Sequence, residues 1–153
     1  MLRLAGVNLI GVFLSAIAMF FIGFIWFGVL FQVPWMQANG MFFAEGSQTE
    51  FQWLSASGVQ TSEIAPSSAI MGAGFVLSVV LSYGLGWHLK QKSITKLSTA
   101  VLFGLWLSLL IGVPLAAYDM VYTQYHSIGG FFVDAGYTVA TFVAGCAVLS
   151  RFD

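Results

Sequence analysis

An aspartate inside an apolar segment is the side chain whose type and position most suggest chemistry. Asp134 lies about five residues, or about 7 Å along a helix axis, inside the last long apolar run. A carboxylate at the bilayer centre costs at least about 2.5 kcal/mol, and less near the interface, so it should face protein or water. Tyr137 and Thr138 follow three and four positions later and share its helical face. Asp134 either caps or hydrogen-bonds to the irregular outer end of the third helix, or it serves as a proton relay, a cation ligand or part of a polar ligand site.

Further polar side chains are expected at the same depth in the membrane as Asp134, near its outer surface. Tyr118 and Asp119 stand at the end of the third apolar run, and His126 lies in the loop after it. Together with Asp134 and Tyr137 they are the candidate residues for an outer vestibule that binds a ligand or an ion. His126 with the two aspartates could also form a weak metal site, although an interfacial polar cluster explains the same residues.

The remaining reactive side chains are isolated along the sequence. His88 is separated from His126 by nearly the whole bilayer, so the two histidines cannot share a metal ion. Gly84 and Gly86 leave room beside His88 for a flat tetrapyrrole, but an ordinary interfacial histidine has the same pattern. Cys146 is the single cysteine, which excludes an intramolecular disulfide. Nucleophile elbows, phosphate loops and dinucleotide fingerprints are absent from the sequence, which predicts a noncatalytic protein without a cofactor.

Composition places these residues in a membrane protein. The chain is 59% hydrophobic and 7% charged, whereas a soluble domain has about 25% charged residues. Four apolar runs reach the length of about 20 residues that a helix needs to cross a bilayer. They cover residues 4–31, 67–89, 97–118 and 129–150. We predict an all-α, polytopic four-helix bundle that forms a single domain over residues 1–153, and the net charge of −1 offers no basic surface for nucleic acid.

The cationic residues predict the orientation of the bundle. All five fall before the first run, between the second and third, or after the fourth: Arg3, Lys90, Lys92, Lys96 and Arg151. The positive-inside rule then places both termini in the cytoplasm, with a bacterial inner membrane as the natural location. The segment 16–18 resembles a signal-peptide cleavage site, but the hydrophobicity continues to Phe31, which favours an uncleaved first span.

The largest polar segment, residues 35–66, lies between the first two runs. Trp26 and Trp35 fall where an interfacial aromatic belt would anchor the first helix. The segment is too polar to span a membrane and too aromatic for a free linker, so we predict a loop that lies on the outer surface. If this loop has a function of its own, we expect it to act as a lid over the bundle. Pro114 should kink the third helix near its outer end.

Small residues recur at intervals of four on three of the helices. The faces are Gly74, Ser78, Ser82 and Gly86 on the second helix, Gly104, Ser108, Gly112 and Ala116 on the third, and Gly136, Ala140 and Ala144 on the fourth. Such faces allow close helix packing, which in lipid relies on dispersion because no hydrophobic force drives helices together.

Two short motifs are more distinctive than the rest of the chain: Trp26-Phe27 with Phe31 and Pro34-Trp35-Met36, and Asp134-Ala135-Gly136-Tyr137. In these motifs the chain resembles the domain-of-unknown-function 1761 family of small bacterial membrane proteins, and the likeness spans all four helices. The resemblance implies a four-helix inner-membrane protein without an assigned activity. Many members carry a basic residue just before the second motif, whereas residues 122–133 contain none here.

The small-residue faces favour a noncatalytic accessory or structural subunit. Three such faces exceed what a bundle of this size needs internally, so we expect the chain to pack with itself or with a larger membrane complex. The alternative is a small transporter, channel or ligand-binding protein that uses Asp134 in an outer vestibule. The predicted partners are therefore the lipid bilayer and other membrane helices.

Overall fold

Four long helices dominate the computed structural model, which describes residues 2–47, 49–63, 68–123 and 127–152. The fold is 71% helical. Four helices are long and apolar enough to cross a membrane, and we name them spans 1 to 4: Leu9–Leu30, Ser68–Gln91, Leu97–Tyr122 and Ile128–Leu149. The prediction of a mostly helical protein with four membrane-spanning helices is confirmed.

Two of the spans contain a π-helical turn. Span 1 is α1 (Leu9–Ile25) followed by a π segment, Trp26–Leu30, and a short helix α2 (Gln32–Ala38) comes directly after it. Span 2 is α3 (Ser68–Gln91). Span 3 is α4 (Leu97–Leu107), a second π segment (Ser108–Gly112) and α5 (Val113–Tyr122), and span 4 is α6 (Ile128–Leu149).

Span 1 begins five residues later than the apolar run, at Leu9 rather than Leu4. The residues before it form a hairpin of β1 (Arg3–Leu4) and β2 (Val7–Asn8). The side chain of Asn8 accepts a hydrogen bond of 3.0 Å from the backbone N–H of Ile10, which caps the helix and fixes its start.

The cationic segments meet at one end of the bundle. A Cβ added to Gly6, in the turn between β1 and β2, would lie 3.6 Å from the side chain of Lys90 at the end of span 2. Asn8 Nδ2 donates to the carbonyl of Phe152, just after span 4, at 3.1 Å. The hairpin, the link between spans 2 and 3, and the carboxyl-terminal residues therefore lie together at this end of the molecule.

Span 4 is the centre of the bundle because it packs against each of the other three spans. The core lies toward the cationic end, where the tails of spans 2 and 4 meet the starts of spans 1 and 3. Its buried side chains are Val7, Val12, Met19, Leu85, Leu89, Ala100, Cys146 and Leu149.

The small-residue face of span 2 packs against span 1. Ser82 is fully buried, and its hydroxyl lies 3.0 Å from the hydroxyl of Ser15 in a hydrogen bond between the two helices. A Cβ on Gly86 would lie 2.9 Å from Cγ1 of Val7, and one on Gly74 would lie 3.8 Å from the ring of Phe20. The Ser78 hydroxyl instead donates to the carbonyl of Gly74 within its own helix, at 3.0 Å.

The other two faces are also used within the chain. A Cβ on Gly104 would lie 2.6 Å from the carbonyl oxygen of Phe142, and one on Gly112 would overlap Thr138, so span 3 packs closely on span 4. Ser108 and Ala116 are buried on the same side of span 3. Gly136 faces span 1, while Ala140 and Ala144 are half-buried. The surplus of unused small-residue faces that the sequence suggested is therefore not found at these positions.

Pro114 is accommodated by the π segment that precedes it. The wider turn at Ser108–Gly112 ends just before α5, which places Pro114 in the first turn of a new helical segment. A missing N–H is tolerated at that position, and the kink that Pro114 should cause stays a prediction.

Most of the described part of residues 35–66, which the sequence predicted as a loop on the outer surface, is regular secondary structure rather than an irregular loop. The end of α2 is followed by a three-stranded antiparallel sheet of β3 (Met41–Phe43), β4 (Glu50–Ser55) and β5 (Gly58–Glu63). Gly40 and Gly46 have φ of +67° and +76° in the turns on either side of β3, a backbone conformation that favours glycine. The sheet contacts the rest of the fold through α2.

Candidate functional site

Trp26 joins the two sequence motifs across the interface of spans 1 and 4. Its indole Nε1 donates a hydrogen bond of 3.0 Å to the backbone carbonyl of Val133. A Cβ on Gly136 would lie 2.9 Å from Cζ2 of the same indole. A side chain at position 136 would therefore force the indole to shift from its place beside span 4.

Tyr137 meets span 1 one residue further along. Its ring centroid is 4.6 Å from that of Phe27, and its hydroxyl would lie 3.1 Å from a Cβ on Gly23. Further ring contacts join Phe27 to Trp35 at 5.3 Å and Trp26 to Phe31 at 4.9 Å. We call this set the outer aromatic cluster, where outer means the end of the bundle opposite the cationic segments: Trp26, Phe27, Phe31, Trp35 and Tyr137.

The helix α2 holds the cluster against span 4. Phe31, at φ −127° and ψ 25°, breaks the helix between the π segment and α2. α2 then packs on α6, and Met36 and Ala38 are 5% and 1% exposed. Trp26 and Trp35, predicted from the sequence as interface anchors, are both half-buried members of this packed cluster.

Asp134 lies beside the cluster, on the turn of α6 that Trp26 contacts. Its side chain is half-buried between the buried residues Val133 and Ala135, and its backbone carbonyl accepts a hydrogen bond of 2.9 Å from the hydroxyl of Thr138. Thr138 itself contacts Gly112 of span 3. Asp134 is therefore about one helical turn further out than this contact, at the outer half of the junction between spans 3 and 4.

Tyr118 and Asp119 lie on the exposed surface of α5. Tyr118 is 60% exposed and stacks on Tyr122 with ring centroids 5.5 Å apart, and Asp119 is exposed on the same helix. These positions suit contact with lipid headgroups rather than an enclosed vestibule. His126 lies outside the described residues.

The possible metal and tetrapyrrole sites gain no supporting geometry. His88 is exposed near the cationic end, with its ring 4.9 Å from that of Trp87. Within the described ranges, His, Cys, Asp and Glu side chains form no group of three that could hold a metal ion.

A family model described as "Protein of unknown function (DUF1761)" matches residues 10–150. The chain belongs to the DUF1761 family. No curated protein matches the chain, and no solved structure matches it either.

The region matched by the DUF1761 model contains spans 2 to 4, all of span 1 except Leu9, the outer aromatic cluster and the three-stranded sheet. The sequence predicts separate roles for three of these residues: Trp26 as an interface anchor, Tyr137 as a ligand candidate and Gly136 as a helix-packing residue. Their contact could have been suggested by the two motifs, because antiparallel spans place the end of span 1 beside the start of span 4.

The DUF1761 chain also has a cleft that the sequence did not indicate. It lies on the three-stranded sheet and has a volume of about 550 Å³. Its lining combines the turn after α2 with mainly apolar residues of all three strands: Asn39, Gly40, Met41, Phe42, Phe51, Gln52, Trp53, Leu54 and Val59.

Proposed function

We propose that this DUF1761 member is a noncatalytic structural or accessory subunit that assembles in the membrane through the outer part of span 2. The observation that supports this is the exposure of residues 68–73, the first six residues of α3, every one of which is exposed. The rest of α3 packs on α1 and α6. A second copy of the chain is the partner that we propose for this surface.

The composition of this exposed surface suits contact between helices. Ser68, Ala69, Gly72 and Ala73 are small, and a Cβ added to Gly72 would meet nothing within 4 Å. In lipid, small residues let two helices approach closely and gain dispersion contacts that large side chains would block. The glycines of the other faces already contact neighbouring spans, whereas Gly72 has an open surface.

The cationic end gives the orientation of this assembly. All five Lys and Arg residues lie in the hairpin, at the end of span 2, in the link between spans 2 and 3, or after span 4. Under the positive-inside rule these segments face the cytoplasm. The sheet and the exposed start of span 2 are then on the outer side. A bacterial inner membrane is the location that we propose.

Replacement of Gly72 tests the assembly. In mild detergent we expect wild-type protein to migrate as a dimer, and Gly72→Leu to weaken dimerisation by about tenfold or more, which corresponds to about 1.4 kcal/mol. The leucine has room within its own chain but should hold the partner helix away. Native mass spectrometry across a range of protein concentrations measures both equilibria.

Gly28→Leu is the matched control because Gly28 is also exposed, with nothing within 4 Å of an added Cβ. It should dimerise as the wild type does. Equal dimerisation of the Gly72 variant and the wild type would reject span 2 as the interface. If the native protein were extracted together with other membrane proteins in a fixed ratio, the partner would be a larger complex rather than a second copy of the chain.

A second candidate function, ligand or ion transport, is favoured by the half-buried carboxyl group of Asp134 in a membrane span. In vesicles loaded with a pH-sensitive dye, Asp134→Asn should abolish any proton flux that the wild-type protein supports. Asp119→Asn is the control because Asp119 is exposed and should leave the flux unchanged. A flux that survives Asp134→Asn, or no flux in the wild-type protein, would exclude a proton pathway through this residue.

A further inference from the structure

One face of the three-stranded sheet carries exposed apolar side chains toward one end, beside the hydrogen bond from Gln52 to Thr61. Directly paired residues of antiparallel strands point to the same face, and the pairs here are Phe42 with Gln52 and Leu54 with Val59. Phe42, Leu54 and Val59 are 57%, 64% and 65% exposed. We call this the Leu54 face of the sheet. Large apolar side chains grouped on an exposed surface indicate contact with a partner or with a membrane.

The sheet is acidic at one end only. Glu45 lies in the turn between β3 and β4, and Glu50 pairs with Glu63 across β4 and β5. The apolar residues of the Leu54 face lie toward the opposite end, where Leu54 pairs with Val59. Residues 39–63 contain no Lys or Arg, so the acidic end has no cations of its own segment to offset its charge.

The connections place the apolar end next to the membrane boundary. Only Asn39 and Gly40 separate α2, which packs on span 4, from the first residue of β3. At the other end of the sheet, four residues separate Glu63 from the start of span 2 at Ser68. A fully extended link of this length spans about 17 Å at most, so the acidic end is also held near the membrane surface.

We propose that the Leu54 face binds the outer interface of the lipid bilayer, with the acidic end of the sheet directed into water. The interface favours aromatic and apolar side chains that are tethered at headgroup level, and anionic lipids would repel the glutamates. The bilayer is also close to the sheet, because one connection leads through α2 to span 1 and the other leads to span 2. This inference does not depend on dimerisation through span 2.

Fluorescent labels at two positions on one strand test the proposal. Leu54→Cys and Glu50→Cys, each in a Cys146→Ala background, place the label on the same face of β4 at opposite ends. The proteins are reconstituted in phosphatidylcholine vesicles, with and without lipid that carries a shallow nitroxide. We expect the label at 54 to be quenched severalfold more by nitroxide lipid than by aqueous iodide, and the label at 50 to show the reverse.

Val59→Cys, on the neighbouring strand, gives an independent measurement and should behave like the label at position 54. Size-exclusion profiles identical to that of the Cys146→Ala protein ensure that the labelled proteins are folded. Strong iodide quenching at 54 and 59 would overturn the proposal because the face would then be in water. Protection at these positions from both quenchers would also overturn it, since protein rather than lipid would cover the face.

Discussion

Gly104→Ala is expected to destabilise the bundle by about 1–3 kcal/mol or more, the range for overpacked interiors. The added Cβ would lie 2.6 Å from the carbonyl oxygen and 3.0 Å from the carbonyl carbon of Phe142, and 3.1 Å from Cα of Val143. These are backbone atoms in the middle of span 4, so no side chain can rotate away to make room. Spans 3 and 4 must separate, which should lower the resistance to denaturation measured by circular dichroism in detergent.

Gly84→Ala is the matched control on span 2. Nothing lies within 4 Å of an added Cβ at this position. Because glycine is less favourable than alanine inside a helix, this variant should be neutral or more stable by up to about 1 kcal/mol. Opposite signs for the two variants would show that the contact with Phe142 causes the loss. Equal stabilities would mean that spans 3 and 4 are further apart than the structure indicates.

The spans and the clustering of charge were predictable from the sequence because both depend on composition over long windows. A run such as Ser67 to Leu89 is long and apolar enough to cross a bilayer wherever its neighbours lie, since only its length and composition matter for this. The predicted start of span 1 was wrong because the hairpin residues, including Val7, are apolar and continue the run. The helix start is instead fixed by the cap that Asn8 makes, a local hydrogen bond that composition does not reveal.

The sheet and the π segments were not predictable in the same way. Alternation in β4 is weak because both faces carry apolar residues, with Phe51 and Trp53 on one face and Leu54 on the other. The candidate site was only partly predicted for a related reason. Asp134 and Tyr137 are unusual residues in a membrane span, but the role of Gly136 depends on an indole more than 100 positions away in the chain.

Trp26→Ala is expected to destabilise the protein by about 2–4 kcal/mol. Removing a fully buried aromatic side chain costs about 3–5 kcal/mol, and the loss should be somewhat smaller here because Trp26 is half-buried. The variant loses the ring contacts with Phe31 and Gly136 and the hydrogen bond to Val133. It also removes the indole that joins spans 1 and 4 at their outer ends. Denaturation in detergent, followed by circular dichroism, measures the difference.

Gly136→Ala tests whether the indole itself sets the requirement for glycine. Alone it should cost about 1–3 kcal/mol, because the new Cβ would lie 2.9 Å from the indole, which is also in contact with Phe31. In the Trp26→Ala background the space is empty, so the same substitution should be neutral or stabilising by up to about 1 kcal/mol. The double-mutant cycle should then give a large coupling energy between positions 26 and 136. Additive effects would mean that the two motifs do not meet, whereas coupling would make them one structural unit that locks α2 and the sheet to the outer end of span 4.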